Sequence, residues 1–168
     1  MALLIAVFCL GAATPPATPA PAGGMGDLTF FLGTWKCDGS FPSTGKTISS
    51  TMRFESDLGG TVIVKHHDDV PPNSYHAIET WNYDAPDAHF NAAITDNYGG
   101  IRRFLSSGWR GDVLTWTSVP DVNPLQQFVY TRLSDTSMRV DWQASRDGTN
   151  YILGDTLQCT KSTSSPGR

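Results

Sequence analysis

No lysine or arginine occurs before Lys36, and charged residues of both signs make up only 17% of the 168 residues. A chain so poor in Glu and Lys has little material for solvent-facing helices. Its 12 basic residues are outnumbered by 16 acidic ones, for a net charge of -4. They form no basic stripe, which argues against binding a nucleic-acid backbone. Beyond the N-terminus no apolar run is long enough to span a bilayer, so stable membrane insertion is not expected. Cysteine is scarce, with three in all, and there is neither a C-x-x-C pair nor a Cys/His cluster of the zinc-binding kind. No nucleophile elbow, P-loop or dinucleotide fingerprint occurs. No Asn is followed two residues on by Ser or Thr, so no N-glycosylation sequon exists.

What the chain does have begins with Met1 to Ala13, MALLIAVFCLGAA. This apolar stretch has the length of a signal-peptide core and is too short for a membrane span. Gly11 and Ala13 stand where a signal peptidase prefers small residues. The missing basic residues ahead of it are the one departure from an export signal. A lipid anchor on Cys9 fits less well, because Phe8 precedes it where a small residue is wanted. Residues 14–26 are rich in Pro, Ala and Gly and are expected to form a linker, since proline lacks a donor and fixes φ. The folded domain is expected over 27–161 and a disordered tail over 162–168. The expected location is secreted or periplasmic.

From about residue 30, strand-like runs recur with turn chemistry between them. Ile48, Ser50, Met52 and Phe54 share one face, and Met138, Val140, Trp142 and Ala144 share another. Such alternation marks antiparallel strands over a core. Breaks such as Asp57-Leu58-Gly59-Gly60, Pro71-Pro72-Asn73 and Arg146-Asp147-Gly148 supply positive or preset φ. About ten strands are predicted, near 30–41, 46–56, 61–69, 75–83, 88–96, 101–109, 112–119, 126–134, 137–146 and 150–160. The fold class is all-β, and a closed antiparallel up-and-down barrel is preferred to a sandwich because closure removes edges. Closure also brings the first and last strands together. Cys37 and Cys159 lie on those strands and can then form a disulfide, the alternative being two buried thiols. Arg110-Gly111-Asp112 sits between two strands and is expected to be a hairpin turn.

Gly33-Thr34-Trp35 matches the G-x-W that opens the first strand of calycins, the lipocalin-like barrels. Gly39 extends a spacing that resembles nitrobindin-like barrels, with Cys37 in place of a glycine. Leu58-Gly59-Gly60, Thr61 to Val64, Trp81-Asn82-Tyr83-Asp84 and Phe90 resemble a bacterial family of unknown function usually placed near the lipocalins. The resemblance spans about 28–161. It implies a barrel with one open end and an apolar pocket. It also implies that Trp35 closes the base under a basic residue of the last strand, for which Lys161 is in phase. Nitrobindins hold haem through a histidine near the C-terminal end. The last histidine here is His89, so that ligand is absent and no cofactor is expected.

His66, His67, Asp68 and Asp69 form the densest polar cluster. Neighbouring strand residues point to opposite faces, so both histidines cannot enter one metal site, and none is expected. If His66 continues the Val62 and Val64 face, it points inward. Glu79 shares a face with Tyr75, Ala77 and Trp81; either that face or Ile78 and Thr80 is internal. Arg103, in phase with Ile101 and Leu105, is a candidate anchor for a ligand carboxylate. Trp81, Trp116 and Trp142 are candidate pocket wall, with Phe54 and Val64. The leading expectation is a non-enzymatic barrel holding a small apolar or amphipathic molecule, with His66, Glu79 or Arg103 orienting its polar end. The alternatives are an isomerase, cyclase or decarboxylase using a pocket His/Glu pair, and a packed interaction domain with no cavity.

Overall fold

A computed structural model describes residues 23–162. The expected signal segment 1–13, most of the linker and all but the first residue of the tail lie outside the described residues. A 3-10 turn, Met25–Phe31, precedes eleven strands. These are β1 (Gly33–Phe41), β2 (Lys46–Asp57), β3 (Val62–Asp69), β4 (His76–Asp84), β5 (His89–Asp96), β6 (Ile101–Ser106), β7 (Trp109–Arg110), β8 (Val113–Ser118), β9 (Leu125–Ser134), β10 (Ser137–Ser145) and β11 (Ile152–Lys161). Met25 and Gly26, expected in the linker, belong to the turn. No helix among the described residues is long and apolar enough to cross a membrane.

Every strand pairs antiparallel with its sequence neighbour except that β6 does not pair with β7. β1 pairs with β11, and β6 pairs with β8 through Phe104–Ser118 and Leu105–Thr117, closing a ring of ten strands. β7 stands outside the ring. The single run expected over 101–109 is therefore two strands. The Gly108 amide bonds to Ser106 Oγ at 3.1 Å and Gly108 takes φ 84°, which turns the chain out of the barrel before Trp109. Arg110-Gly111-Asp112 forms the β7–β8 turn, with Gly111 at φ 59°.

Cys37 lies opposite Cys159 in the β1–β11 pair, and the two are joined by a disulfide. The 3-10 turn folds across the base of the barrel and buries Leu28 and Phe31. Trp35 packs above it, its indole N–H donating to the Phe31 carbonyl at 2.6 Å. Lys161 caps this base, with Nζ 5.0 Å from the Trp35 ring and bonded to the Phe30 carbonyl at 2.8 Å. Arg132 lies over Phe30 and Trp109 in the same way, at 4.3 and 4.8 Å. Trp109 ties the turn to the barrel by donating to the Asp27 carbonyl at 2.8 Å. Above the base, Phe54, Trp81, Trp116 and Tyr130 fill the middle of the barrel. The opposite end is open.

Candidate functional site

The upper half of the barrel encloses a cavity of about 470 Å³. Its apolar wall comes from five strands: Ile48 and Met52 on β2, Phe128 on β9, Val140 and Trp142 on β10, and Leu157 on β11, with Phe41 at the end of β1. Trp142 faces Asp155 across the β10–β11 pair. Just beyond it the register shifts, leaving Gly154 unpaired as a bulge. The indole lies against that bare glycine. A Cβ at position 154 would come within 2.2 Å of the ring, so glycine is needed for Trp142 to occupy this place.

At the bottom of the cavity, Lys65 on β3 is buried with Glu79 on β4. Lys65 Nζ donates to Glu79 Oε1 at 2.7 Å and to Tyr130 Oη at 3.0 Å. The other Glu79 oxygen accepts from the Trp81 indole at 3.1 Å. Desolvation alone would favour neutral Lys65. The Glu79 charge and the hydrogen bonds to Glu79 and Tyr130 outweigh it, so its pKa rises and the ammonium persists. Burial pushes the Tyr130 hydroxyl up to about 12, with Lys65 opposing.

On the wall, Arg102 forms a close ion pair with Asp96 and donates to Gln126 Oε1 at 2.8 Å and Tyr75 Oη at 3.1 Å. His67 Nε2 and Asp69 Oδ1 are 3.2 Å apart, yet they are poorly aligned, and neither makes a proper hydrogen bond. Both line the cavity. Burial lowers the His67 pKa, which keeps the ring neutral at pH 7. Asp155 also lines the cavity, and burial raises its carboxyl to about 7. The nearby Asp69 and Asp141 charges add to this. A backbone hydrogen bond from Trp142 and the Lys65 charge oppose it.

The structure redistributes the residues singled out from sequence. His66 does not enter the barrel, because the inward face of β3 is Ile63, Lys65, His67 and Asp69. Val62, Ile63 and Val64 are all apolar, so they left that phase open. Val64 accordingly lies on the outer face and supplies no pocket wall. On β4 the inward face carries Ala77, Glu79 and Trp81, with Ile78 half-exposed outside. Glu79 is thus internal, but its partner is Lys65 rather than a histidine. Arg103 points outward to Asp121 at 2.9 Å, with both side chains more than 60% exposed. Arg102 takes the inner position, because Phe104 and Ser106 set the buried face of β6 while Ile101 and Leu105 lie outside. Trp81 and Trp116 pack against each other beneath the cavity, centroids 5.0 Å apart and planes tilted by 45°, and neither lines it. Phe54 also packs in that layer. Of the candidate wall residues only Trp142 reaches the cavity. Gly33, Trp35 and Lys161 meet at the base: Gly33 lies against the Lys161 chain, at φ 112°.

Sequence reasoning gave no role to Lys65, Arg102, Tyr130 and Asp155, and it named His67 and Asp69 only within a polar cluster with no expected site. A lysine between Val64 and His66 reads as an outward residue, and only its cross-strand neighbour Glu79 signals otherwise.

No family model and no curated protein matches the chain. Among solved structures, Rv2717c from M. tuberculosis superposes with a TM-score of 0.60 at 13% identity, covering 86% of this chain and 99% of that one. The likeness is one of fold. The structure of EF1p2_mFAP2b bound to DFHBI aligns at 15% identity with a TM-score of 0.45, covering 83% of this chain and 100% of that one.

Proposed function

We propose that this protein is an exported binding barrel that holds one small amphipathic molecule in its open end. The observation that carries this reading is the cavity of about 470 Å³, which has an apolar wall and buried polar atoms, His67 Nε2 and Asp69 Oδ1, without aligned partners. Buried polar groups are costly unless something bonds them, and the cavity size falls within the range of small-molecule sites. A packed domain with no cavity does not account for this space. The disulfide and the apolar N-terminal segment both support an oxidising, exported setting.

A second, catalytic reading has one observation in its favour: Asp155, with its carboxyl raised to about 7, faces the same cavity as neutral His67. The pair expected from sequence, a histidine with Glu79, has no place in it, since Glu79 is held by Lys65 and Trp81.

The binding reading is tested by titrating the protein with Nile red, a neutral apolar dye. Saturable one-to-one uptake with blue-shifted emission is expected, together with its loss in a cavity-filling Val140→Trp variant that keeps a cooperative thermal transition. Uptake that is absent, or equal in the filled variant, overturns the reading.

A further inference from the structure

The charges facing the cavity do not balance. Lys65 is committed to Glu79 and Tyr130, and Arg102 to Asp96, Gln126 and Tyr75. Asp69 and Asp155 remain, with no cation of the chain bonded to either. Asp69 is 7% exposed, and one of its oxygens has no hydrogen-bond donor. His67 cannot neutralise it, because burial keeps the imidazole uncharged. We propose that the polar group of the ligand is a protonated amine, received between Asp69 and Asp155, with an aromatic or aliphatic body lying against Trp142, Phe128 and Met52. This inference rests on the binding reading above and names the ligand class for it.

The alternatives fit less well. An anionic ligand would meet two unpaired carboxyl groups and no unpaired cation. A metal ion needs its ligand atoms gathered around one point. Among the described residues, the group of three His or carboxyl side chains with ligand atoms within 4.8 Å of one another is Asp84, Asp87 and His89, at the β4–β5 turn outside the cavity. His67, Asp69 and Asp155, which face the cavity, form no such group among the described residues. The Trp142 indole, seated against Gly154, adds a π-face to which an ammonium is attracted.

Binding of a cation is linked to a proton. Asp155 faces Asp69, Lys65 and His67 from β3 and Asp141 from β10, while β1 brings only the uncharged Phe41 to this part of the cavity. With the carboxyl raised to about 7, part of the population is protonated at neutral pH. An ammonium beside it favours the ionised form, so uptake of the amine releases that proton. Affinity therefore rises as pH increases from 6 to 8.

Calorimetric titration with three indoles of one shape is the test: tryptamine as the cation, tryptophol as the neutral analogue and indole-3-acetate as the anion. Tryptamine is expected to bind at least about tenfold more tightly than tryptophol at pH 8, and indole-3-acetate more weakly than either. Proton release should appear as a dependence of the binding heat on buffer ionisation enthalpy near pH 7. Asp155→Asn should abolish that release. Asp69→Asn combined with Asp155→Asn should erase the preference for tryptamine over tryptophol; if the double variant does not fold, Asp155→Asn alone decides through the pH profile. Equal or tighter binding of tryptophol or indole-3-acetate, or no binding of tryptamine at millimolar concentration, overturns the amine. Nile red uptake then tells whether the cavity reading stands without it or falls as well.

Discussion

At the closed base of the barrel, the cations Arg132 and Lys161 lie over aromatic rings. At the open end, Lys65 and Arg102 are turned inward and each is paired with a carboxylate. The base therefore collects its charge on the π-faces of Phe30, Trp35 and Trp109. Its polar indole N–H groups are matched by backbone carbonyls of the 3-10 turn. The open end holds more carboxyl than it can neutralise, and it has polar atoms with nothing aligned to them. The base is closed by its own chain, with Arg132 Nε there lacking an acceptor, whereas the open end leaves carboxyl groups facing the cavity without a cation. That contrast separates stability from binding, and substitutions at the two ends should move different measurements.

The largest effect is expected at the base. Trp35→Ala removes a wholly buried indole that contacts Phe30 and carries Lys161. Loss of about 4 kcal/mol of unfolding free energy is expected in urea denaturation. The folded fraction should take up Nile red as the parent does. Weaker uptake by the folded fraction would show that base and cavity are mechanically coupled and would break the contrast.

Next comes the floor of the cavity. Lys65→Met leaves the Glu79 carboxylate buried without its cation, a change expected to cost about 3 kcal/mol. Adding Glu79→Gln should recover most of this, because the stranded charge is gone. A double variant as unstable as the single one would mean that Lys65 acts through packing against Phe54 and Tyr130, whose rings both lie 5.7 Å from its Nζ.

The two ends also differ in how far they could be foreseen. The base was legible because its residues carry one-sided signals. Trp35 and Lys161 fall in phase with the disulfide cysteines, and closure of the ring sets all four on one strand pair. The cavity was not, for three local reasons. Val62-Ile63-Val64 offers apolar residues to both faces, so the phase of β3 rests on which of Lys65 and His66 is buried, and charge alone points the wrong way. Arg102 and Arg103 are adjacent, so one must face inward on any phase; Phe104, not Ile101, decides which. The bulge at Gly154 is visible only once β10 and β11 are paired, and it is what lets Trp142 share the cavity with Asp155. Buried polar groups follow no apolar periodicity. A site made of them is found through its cross-strand partners.

Asp155 gives the smallest effect on stability and the sharpest use of the contrast, because its cost depends on pH while that of the base does not. Its carboxyl stands at about 7 in the folded protein, against an ordinary value of 3.8 for an aspartate in water. Between those values the folded protein keeps a proton that the unfolded chain has lost, so stability falls as pH rises through this window. Above about pH 7 both states are ionised and the penalty is complete. Asp155→Asn removes the titration. The variant should match the parent near pH 3 and exceed it by on the order of 2 kcal/mol at pH 8, less than the full shift implies because the carboxyl is not fully dry. Urea denaturation across that range measures the difference. A constant gap at all pH values would mean that the asparagine merely packs better. A gap that grows toward low pH would place the Asp155 carboxyl below its ordinary value and remove the proton linkage on which the open end depends.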